Sequence, residues 1–310
     1  MKRLFSVLSL VFLLSGCEMT KTTSHTDELQ RISFLSFLDQ STRDYFVYLP
    51  SGYHQQPTKQ WPVLFFLHGN GERGNGQDEL GFVLKNGPLY EAWIQKKPLP
   101  FIIVSPQLPM FDFDQRGLDY INNRQKSEIP QRLEHSVPER PEPFSTMQTF
   151  ARHESMNDLS TTAPLLPLGW EQIEDDLLNI LESVSSQFRV NRKQRYLSGL
   201  SYGGFGTWYL ASKHPEKFAA IAPVVGWGHP SLMKSIAKQQ LPVWQFAGGK
   251  DSSVPIQYFY AGLDELAKFG HKNVRFTVHE DMGHDAWTRV YASVDFYQWL
   301  LTHSLPADNQ

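Results

Sequence analysis

Gln194-Arg195-Tyr196-Leu197-Ser198-Gly199-Leu200-Ser201-Tyr202-Gly203-Gly204-Phe205-Gly206-Thr207-Trp208 is the stretch on which the reading of this chain turns. Residues 194–197 suit a short strand and residues 205–212 a helix, so Ser201 falls in a tight strand-to-helix turn within a Gly-x-Ser-x-Gly pentapeptide. Glycine is required on both sides because a side chain there would meet the adjoining strand and helix, and the turn pushes the hydroxyl into the open. A serine hydroxyl is a weak nucleophile at neutral pH. It needs a base within hydrogen-bonding reach and an acid that orients the base.

Downstream, the chain offers both, in the order acid then histidine that this architecture uses. Asp251 lies in Ala247-Gly248-Gly249-Lys250-Asp251-Ser252-Ser253-Val254-Pro255, just past an apolar run at 243–247. His284 lies in Asp281-Met282-Gly283-His284-Asp285-Ala286-Trp287, past the next run at 274–278. Both positions are carboxyl ends of expected parallel strands, where open α/β sheets bind ligands. Among the other histidines, His271 precedes a strand, His279 ends one, His214 and His303 sit by helix ends, and His229 lies upstream of the acid. The rival acids are Asp281, Asp285 and Asp264; Asp264 belongs to a predicted helix, and Asp285 reads as the N-cap of the last helix.

Upstream, His68-Gly69-Asn70-Gly71-Glu72-Arg73-Gly74 follows the apolar run at 63–67. A glycine-rich loop there can aim a backbone N–H at a developing oxyanion, with the N–H after the nucleophile as second donor. Asn70 and Tyr202 are the expected pair, and His68 reads as structural.

Outside these loops, residues 31–38 and 43–49 are rich in aromatic and β-branched types around the polar Asp39-Gln40-Ser41-Thr42, which predicts an antiparallel hairpin. Continuous apolar runs at 63–67, 101–104, 219–225, 243–247 and 274–278 predict strands buried on both faces. Trp170, Ile173, Leu177, Ile180, Leu181, Val184 and Phe188 follow one helical face, as do Trp287, Val290, Tyr291, Val294 and Tyr297. The fold class is therefore α/β: a mostly parallel, doubly wound sheet with an N-terminal antiparallel hairpin. Residues 109–168 interrupt the alternation, with Pro138, Pro141 and Pro143 crowded together, and read as an insertion over the sheet's carboxyl edge, a possible lid. Asp112, Asp114, Gly117 and Asp119 there resemble a calcium loop only weakly, because Arg116 stands where an oxygen ligand is needed, so no metal is expected.

The N-terminus reads as an export signal: Lys2 and Arg3, then an apolar stretch over 4–14 that is too short to span a bilayer stably. Leu14-Ser15-Gly16-Cys17 resembles the bacterial lipobox, and Cys17 is the only cysteine among 310 residues, which excludes an internal disulfide. With each buried methylene worth about 0.8 kcal/mol, two or more acyl chains on Cys17 give stable attachment to a membrane. Glu18, in place of the Asp that favours inner-membrane retention, points to the outer membrane. The expected boundaries are 1–16 for the signal, 17–30 for the lipidated cysteine and polar tether, 31–301 for the catalytic domain and 302–310 for a tail. A formal net charge of -3 and the lack of a Lys/Arg block in the mature region set nucleic-acid binding aside.

Taken together, Leu67 to Gly74, Val104-Ser105-Pro106-Gln107, Ser198 to Trp208 and Gly283-His284-Asp285-Ala286-Trp287-Thr288 resemble the phospholipase/carboxylesterase-like α/β-hydrolases labelled "predicted peptidases". Feruloyl and acetylxylan esterases of the polyhydroxybutyrate-depolymerase-like type are their neighbours. The resemblance implies the α/β-hydrolase fold, Ser201 as nucleophile, Asp251 as acid, His284 as base and Asn70 with Tyr202 as oxyanion donors. It implies cleavage of small-molecule or saccharide esters, without a cofactor, since the triad supplies its own base. Peptidase action on the same site is the nearest alternative, although peptidases of this fold commonly carry a gating domain. A catalytically silent carbohydrate-binding lipoprotein using Trp208, Trp227 and Trp287 is the other; in the enzyme reading Trp227 and Trp287 contact substrate.

Overall fold

The computed structural model describes residues 26–140, 159 and 162–306. The expected signal, Cys17, most of the tether and the part of the insertion holding Pro141 and Pro143 lie outside the described residues. Eight strands, β1 (Glu28–Leu35), β2 (Thr42–Leu49), β3 (Trp61–Leu67), β4 (Ile102–Ser105), β5 (Val190–Leu200), β6 (Ala220–Val224), β7 (Val243–Gly248) and β8 (Val274–His279), form one sheet in the order β1-β2-β4-β3-β5-β6-β7-β8. The β1–β2 and β2–β4 pairs are antiparallel and all others parallel. The helices are α1 (Gly87–Leu89), α2 (Asp119–Asn122), α3 (Glu174–Gln187), α4 (Tyr202–Lys213), α5 (Met233–Gln239), α6 (Phe259–Lys268), α7 (Trp287–Ala292) and α8 (Val294–Leu301).

The apolar runs of β3, β4, β6 and β7 follow from burial on both faces, whereas the run at 274–278 forms β8, an edge strand that stays partly exposed rather than buried on both faces as expected. Along β3, Val63, Phe65 and Leu67 enter one core, shared with Leu177 and Ile180 of α3, Trp208 of α4 and Ile236 of α5. Leu64 and Phe66 enter the other, with Leu89, Val290, Tyr291, Phe296 and Leu300. Alternation puts successive side chains on opposite faces, and a strand covered on both sides favours apolar residues at every position. Each such side chain contributes about 1.5–3 kcal/mol of burial. Because β3, β5, β7 and β8 run the same way, the loops that follow them meet at one sheet edge. Those loops carry Asn70, Ser201, Asp251 and His284.

Several boundaries differ from the sequence reading. The first strand begins at Glu28, with Glu28 to Gln30 already paired to Leu49 to Val47, and Asp27 binds Arg132, so the tether ends earlier than residue 30. The final helix is two: Ser293 is extended (φ -75, ψ 134), which separates α7 from α8. The apolar spacing hides this break because Val294, counted with the buried face, is 57% exposed. Asp285 does not cap that helix; it lies inside a 3-10 turn, His284–Ala286, and α7 starts without a side-chain cap. Residues just beyond α8 are fastened rather than loose, with the Tyr196 hydroxyl donating to the His303 carbonyl and the Leu305 N–H to that of Lys193.

Candidate active site

Ser201 stands between β5 and α4 at φ 51, ψ -116, a conformation that costs a non-glycine residue about 1–3 kcal/mol and persists only when the surroundings impose it. They do so through Ser201 N–H to the Val224 carbonyl (2.9 Å) and Phe205 N–H to the Ser201 carbonyl (3.1 Å). The flanking glycines are a steric requirement. A Cβ on Gly199 would stand 2.2 Å from the Gly203 oxygen, and one on Gly203 1.8 Å from the Leu67 oxygen.

The loops after β7 and β8 bring the other two residues to this hydroxyl. His284 Nε2 lies 2.9 Å from Ser201 Oγ, and His284 Nδ1 lies 2.7 Å from Asp251 Oδ2. With the proton on Nδ1, the ring donates to the carboxylate and accepts from the serine hydroxyl, the arrangement a general base requires. Asp251 is aimed by its own loop: Oδ1 accepts from the N–H groups of Ser253 and Val254, each at 2.9 Å. The Asp251 side chain is wholly buried, whereas 26% of the His284 ring remains open to solvent.

The rival groups are engaged elsewhere. Asp281 forms a two-point pair with Arg289 (2.7 and 2.6 Å), and that guanidinium holds its carboxyl down to about 2. Burial pushes His279 down to about 4, His271 contacts the Leu241 carbonyl, His214 pairs with Glu174, His229 caps the turn Pro230–Leu232, and His303 contacts the Trp299 carbonyl. Asp264 belongs to α6.

Of the two expected oxyanion donors, Tyr202 is the first residue of α4 and Asn70 the first of the 3-10 turn Asn70–Glu72, so neither N–H has an acceptor within its own helix. His68 holds the Asn70 loop against the chain beyond β4. Its Nδ1–H donates to the Gly69 carbonyl at 2.6 Å and its Nε2 accepts from Leu108 N–H at 2.9 Å, and burial, which pushes the ring down to about 3, keeps it neutral. Glu72 is buried as well, its carboxyl pushed up by desolvation. It accepts from Asn86 Nδ2 at 2.5 Å, and Asn86 Oδ1 accepts from Trp287 Nε1 at 3.1 Å.

Residues 170–286 match the model of a family described as "Putative esterase", which is less than half of the chain. Among solved structures, a thermostable esterase superposes with a TM-score of 0.61 at 21% identity, covering 89% of this chain and 63% of that one. This chain thus spans less than two thirds of that structure's length. A ferulic acid esterase from Anaeromyces mucronatus gives 0.51 at 16% identity over 94% of this chain and 96% of the other. An acylaminoacyl peptidase from Pyrococcus horikoshii gives 0.53 at 14% over 92% and 43%. The chain has the α/β-hydrolase fold.

Within this fold Ser201 and His284 open onto a cavity of about 860 Å³, and Asp251 lies buried behind His284. Trp227 and Trp287 both line it, while Trp208 is buried in the core with its Nε1–H on the Gly226 carbonyl. Trp227 stacks on Tyr258 (5.6 Å, 18°) and meets the edge of Phe205 (5.3 Å), and Trp287 stands edge-on to His284 at 5.1 Å. Sequence reasoning missed Phe205, Tyr258, Val254, Tyr120 and Leu166 as wall residues. Phe205 and Val254 lie within the motifs already singled out and could have been found there. Tyr120 and Leu166 come from the insertion, which carries no periodicity to announce them. A wider groove of about 1140 Å³, between the β1–β2 turn and Met110 to Asp112, holds none of the three residues.

Proposed function

We propose that the protein is a serine hydrolase that cleaves carboxylic esters through an acyl-enzyme, with Ser201 as nucleophile, His284 as base and Asp251 as the acid that orients it. The observation that carries this reading is the unbroken chain of contacts Ser201 Oγ, His284 Nε2, His284 Nδ1, Asp251 Oδ2 at 2.9 and 2.7 Å. Ser201 Oγ attacks the ester carbonyl as its proton passes to His284 Nε2, and the tetrahedral oxyanion is received by the N–H groups of Asn70 and Tyr202. The imidazolium, held by Asp251, returns the proton to the alcohol oxygen as the C–O bond breaks. Water repeats the sequence on the acyl-enzyme and releases the acid.

The cavity supports an ester with an apolar or aromatic acyl group, because Phe205, Trp227, Val254 and Tyr258 form one wall. The alcohol, a small molecule or a saccharide, then lies toward Trp287 and Glu72, which also line the cavity. The lipobox supports an acylated Cys17 and a location on the cell envelope, with Glu18 favouring the outer membrane. The carbohydrate-platform reading loses Trp208, which is 1% exposed.

A panel of aryl acetates, acetylated and feruloylated sugars and peptide amides, run on the protein and on Ser201→Ala, tests the proposal. Ester turnover that Ser201→Ala abolishes while its folded signature stays intact is the expected result. Preferential amide cleavage replaces the esterase reading with a peptidase one, and near-normal turnover by Ser201→Ala removes the nucleophile.

A further inference from the structure

Arg73 is fully buried, and among the described residues no carboxylate stands within 4.0 Å of its guanidinium. A buried cation without an anion is costly unless its donors are satisfied in another way. Here three carbonyl-type oxygens do so. Nε donates to the side-chain Oδ1 of Asn70, Nη1 to the Pro109 carbonyl at 2.9 Å and Nη2 to the Leu168 carbonyl at 2.8 Å. The guanidinium carbon also lies 4.1 Å from the ring centre of Phe113 and 4.9 Å from that of Tyr202, two rings that meet edge-on at 5.9 Å.

These partners belong to three separate parts of the chain. Asn70 and Tyr202 are the residues whose N–H groups the proposed mechanism uses for the oxyanion. Pro109 and Leu168 are the two ends of the segment that interrupts the sheet. The chain is also strained at both ends of that segment: Phe111 and Asp112 have φ 48 and 59, and Leu168 has φ 54. Such conformations last only where their surroundings hold them. One planar group with five N–H donors in a fixed fork reaches all three oxygens while lying against two rings; a lysine ammonium, a point charge with three donors, does not reproduce that spread.

Building on that mechanism, we infer that Arg73 is a positioning residue: it sets the two oxyanion donors, Asn70 and Tyr202, in register with each other and couples their placement to the two ends of segment 109–168. The sequence hinted at this only in placing an arginine inside the glycine-rich loop, and nothing in the proposed chemistry uses its charge directly.

The test is Arg73→Lys and Asn70→Ala in the full chain, compared with the unaltered protein by kcat and KM on an aryl acetate, by affinity for an aryl boronic acid, and by thermal melting. The boronate reports on the oxyanion hole because its tetrahedral adduct on the serine places an oxygen there. Loss of one donor typically costs about 100- to 1000-fold in kcat, so misplacement of the donors in Arg73→Lys is expected to lower kcat by about 10- to 100-fold. KM should stay within about threefold and boronate affinity should fall in step with kcat. Asn70→Ala, which keeps its N–H but gives Arg73 no acceptor, should move the same quantities in the same direction by a smaller factor, and it decides the matter if Arg73→Lys does not fold. A variant that melts earlier yet keeps kcat and boronate affinity overturns the inference and leaves the hydrolase reading standing. An unaltered protein inert to esters, with no adduct at Ser201, overturns that reading and this inference with it.

Discussion

A methyl group on Gly203 would stand 1.8 Å from the carbonyl oxygen of Leu67, so helix α4 lies against the end of β3 with no space for any side chain. This contact fixes how far the Ser201 turn sits from the Asn70 loop. The obstacle is backbone on both sides and cannot rotate away. Gly203→Ala is therefore expected to destabilise the fold by about 2–4 kcal/mol, seen as a lower denaturation midpoint. Gly71→Ala is the matched control, since its nearest atom would be Tyr120 Cδ2 at 3.9 Å, and it should change stability by less than about 1 kcal/mol.

Removing the orienting acid should separate geometry from chemistry. Asp251→Asn can still accept from the Ser253 and Val254 N–H groups, but it favours the wrong histidine tautomer, so kcat should fall by about 1000- to 10000-fold with the melting temperature little changed. Steady-state kinetics on an aryl ester with parallel melting curves checks this.

Acid should unfold the protein through its buried histidines. Burial lowers His279 from 6.5 to about 4 and His68 to about 3, so the folded protein excludes protons that the unfolded chain binds below 6.5. The sign follows: stability is full above that value and declines as pH falls, by about 1.4 kcal/mol per pH unit for each such group, levelling off for His279 once its folded value is passed. His279→Phe retains a ring to stack on Phe246 and should flatten part of this slope between pH 6.5 and 4 in denaturant titrations, with no such flattening at pH 7 to 8.

The aromatic wall should govern acyl preference. Trp227→Ala is expected to lower kcat/KM for a bulky aromatic acyl ester by about 10- to 100-fold and that for an acetate ester by less than about threefold. Competing the two substrates in one reaction reads the ratio directly.

Much of this arrangement is legible in the sequence because its constraints are local. Double-sided burial forces continuous apolar runs in β3, β4, β6 and β7, and the crowding of Gly199 against Gly203 forces the pentapeptide around Ser201. The loop positions of Asp251 and His284 follow from strand order alone. What escaped notice is long-range. Arg73 gains its meaning from Pro109 and Leu168, which only the fold brings beside Asn70. Tyr120 and Leu166 reach the cavity from a segment whose shape is set by arginine anchors, such as Arg124 on the Gly71 carbonyl at 3.1 Å and Arg132 on Asp27, rather than by any helical or strand period. The break at Ser293 was invisible for a related reason, since a single extended residue leaves the apolar spacing around it unchanged.

Labelling with a fluorophosphonate, followed by peptide mass mapping, tests the central claim most directly. The reagent needs a serine oxygen activated by a neighbouring imidazole, so the account predicts one adduct, on the peptide bearing Ser201, absent in Ser201→Ala and slowed by orders of magnitude in His284→Ala. A folded protein that takes up no label, or whose label persists in Ser201→Ala, contradicts it.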